Sequence, residues 1–369
     1  MKALMAVTGL AVIMAAPAAI AEVEVGKVKV TGDLRMRHQN DDDASQDGDR
    51  DRKRLRARIL AVGQATETVE IGIGLASGSS DPVSTNQTIE GFGESKGINL
   101  DLAYFNWTAN EDTTVSGGKF KNPLATVGKS QLQWDGDWNP EGLGVNYANG
   151  ILFANGLYTW LNGEQDDRDA ADIEDDVTLA AGQVGVNTEL AGAKVTAGLG
   201  YSATNTKGKP CYDGCGQNLA TGMMNYMSDY NTVEAFVEAG LEAGGQPLTL
   251  WAQYITNTDA DPVAAAGNKK LDTGVQVGAQ IGKAKKKGTW QGKIYYQELD
   301  ADATLAALAN SDFAGGGTDN KGVYIGGAYA LSDKSTVGFS YFAGEDKNER
   351  SGAPAEDYDT LQVDLKFKF

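Results

Sequence analysis

The chain has few of the residues on which metal, redox and many catalytic sites depend. Its 369 residues include 2 cysteines and 1 histidine, His38. Two cysteines are too few for a disulfide-rich secreted domain, and no Cys/His cluster has the spacing of a zinc site. A hydrolase triad would have to be built on His38, which has no recognisable nucleophile motif. We therefore predict no catalytic residue, no metal, no cofactor and no enzyme.

Long hydrophobic runs are also missing. Although 41% of the residues are hydrophobic, no stretch after residue 21 reaches the 18 apolar residues of a membrane-spanning helix, which excludes an ordinary helical membrane protein. The first residues differ: Lys2 precedes a short apolar core, Ala3 to Met14, and Ala19-Ile20-Ala21 places small residues where a signal peptidase cuts. We expect residues 1–21 to be a cleaved secretory signal and residues 22–369 to form a single domain.

Basic charge is in short supply. The net charge is −18, and loss of Lys2 with the signal would make it −19. This acidity argues against a nucleic-acid partner and suits a cell-surface protein whose loops face water and divalent cations.

What the sequence does contain is a period of two. From Leu361 to Phe369 every odd position is apolar and every even position is polar or charged, and the same alternation covers 232–241 and 271–282. Segments of about 10 residues with one apolar face are typical of tilted transmembrane strands. A soluble sandwich would also fit one such strand, but a chain that ends on an aromatic strand resembles outer-membrane barrels.

The segments predict an all-β, transmembrane antiparallel barrel with sixteen strands. We place strands near 24–38, 52–64, 67–76, 98–109, 112–120, 141–149, 150–161, 176–189, 193–204, 231–242, 246–258, 270–283, 288–300, 321–332, 335–346 and 358–369. Short turns such as 191–192 and 244–245 alternate with long polar loops, so the turns are expected on the periplasmic side and the loops outside the cell. A missed hairpin would change the count to 14 or 18. A barrel of this size leaves a water-filled channel.

Several segments carry a family resemblance. The blocks are 32–37, 52–58, 81–88, 101–104, 117–123 and 134–142. In combination they resemble the putative porin family of proteobacterial outer membranes, whereas the remainder of the chain matches only in its barrel pattern. The resemblance implies a general-porin-like barrel whose third loop, Lys121 to Pro140, folds into the lumen, and, by analogy with sixteen-stranded porins, a homotrimer.

Five arginines are the most informative candidates for the pore lining. They alternate with apolar residues along the first two strands, and we call them the arginine ladder: Arg35, Arg37, Arg54, Arg56 and Arg58. A cation facing lipid at mid-membrane costs roughly 2 to 4 kcal/mol, so all five are expected to face the lumen. They either pair with loop carboxylates and stabilise the barrel, or set up a transverse field against acids across the pore.

The candidate acids lie in and just after the third loop. Asp135 and Asp137 stand between Trp134 and Trp138, and Glu141 follows. The two tryptophans could instead belong to an interfacial aromatic girdle. We predict that these three acids line the pore with the arginine ladder.

The two cysteines lie close together in the fifth long loop. Cys211 and Cys215 are separated by three residues, and two nearby thiols in an oxidising compartment are expected to form a disulfide. The family pattern does not lead us to expect this pair.

The sequence predicts an outer-membrane porin of a Gram-negative bacterium, in which small hydrophilic solutes and ions diffuse through a water-filled channel. Two other functions fit as well: a channel specific for a preferred anion or small organic solute, and a structural or adhesive barrel whose loops matter more than its lumen. The expected partners are the solutes, outer-membrane lipid and lipopolysaccharide.

Overall fold

The computed structural model describes residues 28–46, 48–162, 176–221 and 225–369. The predicted signal peptide lies outside these ranges. No helix in the described part of the chain is long and apolar enough to cross a membrane. The regular structure is β-sheet, with short 3-10 turns in the loops, so the all-β prediction is confirmed.

Sixteen long strands occur within the described residues, and we number them in chain order. They are β1 (Lys29–Asp43), β2 (Arg50–Gln64), β3 (Val69–Ser77), β4 (Ile98–Thr108), β5 (Thr113–Lys119), β6 (Glu141–Asn149), β7 (Leu152–Asn162), β8 (Val177–Leu190), β9 (Ala193–Thr204), β10 (Thr232–Ala243), β11 (Gln246–Asn257), β12 (Thr273–Gly282), β13 (Trp290–Leu299), β14 (Asn320–Ser332), β15 (Ser335–Asp346) and β16 (Glu356–Lys368). The predicted number of strands is confirmed. The loops contain short paired segments at Gln87–Thr88, Pro262–Val263 and Lys269–Lys270.

The sheet closes on itself into an antiparallel barrel. Each long strand pairs with its neighbours in the sequence, and β16 pairs with β1 to complete the ring. At the seam the backbone of the last residue, Phe369, exchanges hydrogen bonds of 3.1 and 3.3 Å with Gly32. Closure matters because hydrocarbon offers no partner to an unpaired backbone group.

The period of two separates an outer face from an inner face. In β1, Leu34 and Met36 are 39% and 51% exposed, whereas the alternating Arg35 and Arg37 are each 6% exposed. The apolar residues are therefore outside and the polar residues inside, the reverse of a soluble protein and the arrangement expected in lipid. The inner side chains are buried because loops fill much of the lumen.

The first strand is longer than predicted. We expected it to end near residue 38, but it continues to Asp43. Asp41 explains the difference: its carboxylate accepts hydrogen bonds from Gln39 at 2.8 Å and Thr360 at 3.0 Å, and it forms an ion pair with Arg52. An acidic run that looks like a solvated loop is thus held in the sheet by inward-facing partners.

The loops at one end of the barrel fold into its interior. We name four of them L2 (78–97), L3 (120–140), L5 (205–231) and L7 (300–319). L3 enters the lumen as predicted, and its Trp134 and Trp138 stack with ring centroids 5.3 Å apart inside a buried cluster that includes Leu308 of L7. The inward course of L5 and L7 was not predicted. Trp134 and Trp138 therefore belong to a loop core within the barrel and not to an interfacial girdle.

Candidate functional site: a charged chamber in the lumen

The candidate site is a cavity of about 630 Å³ between the barrel wall and the inserted loops. The wall is one continuous arc of neighbouring strands that runs from β13 through β14, β15 and β16 to β1 and β2, and L2, L3 and L7 supply the remaining surface. We call this cavity the chamber. Six of the predicted pore residues line it: Arg35, Arg37, Arg56, Arg58, Asp135 and Asp137.

The register of three neighbouring strands builds the basic wall. Arg35 of β1 lies opposite Lys366 of β16 and Arg56 of β2, so that three cations form one row across the sheet. One step towards the loops, Arg37 lies between Asp364 and Arg54. Like charges directly opposite each other destabilise a sheet unless acids compensate them, and the contacts of Arg37 show how this is done.

Arg37 is held by two carboxylates. Its Nε and Nη2 donate to the two oxygens of Asp364 at 2.8 and 3.1 Å, a bidentate pair within the wall. Its Nη1 donates to Asp312 of L7 at 3.4 Å. Burial raises the pKa of Asp312, but Arg37 and Arg35 outweigh it and hold that pKa below its usual value. The pair therefore fastens L7 to the wall.

Arg56 and Arg58 share a second pair of acids. Asp33 of β1 accepts from Arg56 at 3.0 Å and from Arg58 at 2.8 Å. Asp137 of L3 lies 3.1 Å from Arg58 and 3.8 Å from Arg56. Asp137 thus touches the arginine ladder directly, so L3 is docked on the basic wall. Loop acids thus pair with the ladder, and the paired charges line the chamber. A transverse field across the pore stays a prediction.

Asp135 has different surroundings from its neighbour. Its two oxygens accept backbone N–H groups of Asp137 at 2.8 Å and of Ser311 in L7 at 3.0 Å. Burial raises the pKa of Asp135 to about 7, and the two N–H donors only partly offset this effect. Asp135 therefore joins L3 to L7 and titrates near neutrality.

Two predicted residues lie away from the chamber. Arg54 faces inward nearer the loop end of the wall, where it donates to Gln39 at 3.3 Å. Glu141 pairs with Lys119 at 2.7 Å in a separate outer cavity of about 790 Å³, which we call the vestibule and which L2 and L5 help to line.

Several residues that line the chamber were not predicted from the sequence. They are Lys121, Lys129, Lys293, Asp312, Asp364 and Lys366. The period of two contained the signal for Lys293, Asp364 and Lys366, because each alternates with outward-facing apolar residues in its strand. Lys121 and Lys129 belong to the loop that was expected to enter the lumen. Nothing in the sequence indicated Asp312, because its position depends on the inward path of L7.

The tip of L3 is anchored on the wall opposite the ladder. The backbone N–H of Gly128 donates to Glu238 at 2.6 Å, and its carbonyl accepts from Lys293 at 2.9 Å. Gly128 has a φ of +56°, and a Cβ there would collide with the ring of Trp251. Lys293 is itself held over that ring, 5.0 Å from its centroid. L3 therefore crosses the lumen from one wall to the other.

The two cysteines lie at the inner edge of L5. Cys211 and Cys215 are joined in the structure with Cα atoms 4.7 Å apart, and Cys215 is buried against the cluster that contains the L3 tryptophans. Among the described residues no group of three or more His, Cys, Asp or Glu could hold a metal ion.

A closed barrel with an apolar exterior and a charged interior is typical of outer-membrane channels. The family model described as "Putative porin" matches residues 38–209 and 203–369. The chain belongs to this family. Family and fold point to a channel in the outer membrane rather than to an enzyme.

Solved structures of similar fold include a bacterial porin and an outer-membrane protein. OprB of Pseudomonas putida aligns with a TM-score of 0.61 at 14% identity, covering 93% of this chain and 94% of that one. A mutant of the Rh. blastica porin gives a TM-score of 0.51 at 12% identity over 93% and 100% of the two chains. OmpT of Vibrio cholerae with loop L8 deleted gives 0.50 at 14% over 93% and 99%. At these identities the likeness concerns the fold alone. No curated protein matches the chain.

Proposed function

We propose that the protein is a diffusion porin, through which small hydrophilic solutes and ions cross the outer membrane after the signal peptide 1–21 has been removed. The observation that carries this proposal is the polar, charged chamber inside a barrel whose exterior is apolar. The paired backbone and the apolar outer side chains are compatible with lipid, so the charged side chains face the lumen. An ion loses less of its hydration there than it would in lipid.

Conductance in planar bilayers tests the proposal. Purified protein is expected to insert and give discrete, ohmic steps in potassium chloride. A barrel that inserts, as judged by heat-modifiable mobility and protease protection, but passes no current would contradict the proposal and would favour a structural role.

We also propose a homotrimer in contact with lipopolysaccharide, by analogy with sixteen-stranded porins. Of the small residues in β14, Gly327 packs beside the exposed ring of Phe339 and can face a neighbour, whereas Gly326 is covered by Tyr324, which lines the chamber. Mass measurement in mild detergent is expected to give three chains, and a monomer alone would contradict this assembly.

A further inference from the structure

The chamber has more positive than negative charge. Within the described residues its lining includes four arginines and four lysines against four aspartates. The arginines are largely compensated, because Arg37, Arg56 and Arg58 each contact carboxylates at 3.1 Å or less. The excess positive charge therefore comes from the lysines.

Three lysines of the lining lie outside ion-pair distance of any described carboxylate. In the part of the chain that the structure describes, Lys121, Lys129 and Lys293 form no ion pair, whereas Lys366 contacts Asp364 at 3.0 Å. Lys121 and Lys129 are exposed to the lumen. Lys293 is fixed by the rings of Trp251 and Tyr295 and by the carbonyl of Gly128. The wall adds one more unsatisfied donor, the buried Nε of Arg35.

The unpaired charges are divided between two regions. Lys121 lies at the arginine ladder, where it interacts electrostatically with Asp101, Arg58, Asp137 and Arg56. Lys129 interacts with Lys293 of β13, at the other end of the arc of strands. An anion with one charge can offset one region only, whereas the two charges of a dianion can offset both regions. The cavity of about 630 Å³ has the size of a small-molecule site. Asn86, Ser130 and Gln131 add neutral hydrogen-bonding groups to the lining.

We propose that the chamber is a binding site for small dianions, either phosphate or a short dicarboxylate, held by Lys121 on one side and by Lys129 and Lys293 on the other. This inference rests on the proposed channel function. Binding in the lumen makes transport of the dianion saturable and lets it block the flow of smaller ions. Confinement between protein walls strengthens the attraction relative to open water.

The test measures chloride current through single channels while inorganic phosphate or succinate is added under mildly alkaline conditions, where phosphate is a dianion. Both probes are expected to reduce the current saturably, whereas acetate at the same concentration is not. In K121Q and K129Q the half-blocking concentration is expected to rise about tenfold each, the effect of losing one charge-assisted contact. K285Q is the matched control, because it removes the same charge from a lysine that is exposed in a short turn far from the chamber.

The outcomes separate the inference from the function on which it rests. If the channel conducts chloride but neither probe blocks it more than acetate does, or if K285Q weakens the block as much as K129Q, the dianion site is overturned and the porin stands. If phosphate blocks and succinate does not, the site is one for phosphate. A barrel that inserts without conducting contradicts the porin itself.

Discussion

At the scale of the residue, the inner wall shows how a barrel tolerates a dense row of cations. Arg35, Arg56 and Lys366 lie side by side on three strands, and neighbouring acids limit their repulsion. Asp364 comes from the wall itself, whereas Asp137 and Asp312 come from loops. We therefore expect ion selectivity and loop docking to depend on the same contacts.

The paired charges give a first prediction on ion selectivity. In the double variant R56S/R58S we expect a shift towards cations, and in D137N a shift towards anions, because each removes charge from the chamber lining. One charge at about 4 Å in water is worth about 1 kcal/mol, so the permeability ratio is expected to change about fivefold. Reversal potentials in a salt gradient provide the measurement. R54S is the control, since Arg54 is not part of the chamber lining, and an equal shift in R54S would mean that the chamber does not control selectivity.

The raised pKa of Asp135 predicts that ion selectivity depends on pH. Its pKa of about 7 lies above the usual value of an aspartate, 3.8, so the side chain is mainly neutral below neutrality and charged above it. As pH rises through 7 the chamber gains one negative charge, and we expect selectivity to move towards cations. For the same reason the L3–L7 contact loses stability as the pH rises from about 3.8 to about 7, because over this range the folded state binds the proton more tightly than the unfolded chain.

Reversal potentials recorded across neutral pH test this prediction. The step is expected in the native protein and in D137N, but not in D135N, which cannot titrate at this position. A step of undiminished size in D135N would assign the titration to another group.

At the scale of the element, the sixteen strands were predictable because lipid imposes one simple rule. An outward side chain must be apolar, an inward one need not be, and the resulting period of two is visible in the sequence. Strand ends and loops follow no such rule. The extension of β1 depends on Asp41 meeting Thr360, a residue more than 300 positions away, and the path of L7 depends on contacts with L3. Such long-range partners cannot be found from local pattern.

The anchored tip of L3 leads to a prediction about pore size. In G128A the new methyl group must displace either the loop or the ring of Trp251, and the positive φ adds strain. Such overpacking costs roughly 1 to 3 kcal/mol. We expect the tip to leave the wall and single-channel conductance to change, with a broader distribution of current levels.

The control for this prediction lies in the same loop. In G136A the added Cβ would meet only the end of the flexible Gln131 side chain, at 3.1 Å, so the conductance is expected to stay close to that of the native channel. If both variants conduct alike, the docking of Gly128 does not fix the path of L3.

The cysteine pair of L5 gives a chemical prediction. If Cys211 and Cys215 are oxidised in the exported protein, no thiol should react with a maleimide reagent under denaturing conditions until a reductant has been added. Intact mass with and without reduction measures this directly. Two reactive thiols in protein extracted without reductant would contradict the disulfide.

At the scale of the whole molecule, two charge distributions oppose each other. The chain has a net charge of −18, whereas the described lining of the chamber is basic. We expect the acidic loops to attract cations to the mouth and the chamber to favour anions. Their ranges differ, because charges in the loops act through water while those in the chamber act on an ion at contact distance.

Ionic strength decides which distribution dominates. The screening length is about 3 Å in 1 M salt and about 30 Å in 0.01 M salt. The field of the loop charges is therefore screened before it reaches the pore in concentrated salt, whereas in dilute salt it extends to the pore. We therefore expect the channel to favour anions in concentrated salt and to shift towards cations as the salt is diluted. In the variant E90Q/E356Q, which neutralises two exposed acids at the loop end of the barrel, this dependence on salt should weaken, while the reversal potential in concentrated salt should stay the same. A change in concentrated salt would show that loop charges act on the chamber itself, and selectivity that does not vary with salt would show that they do not act on the passing ion.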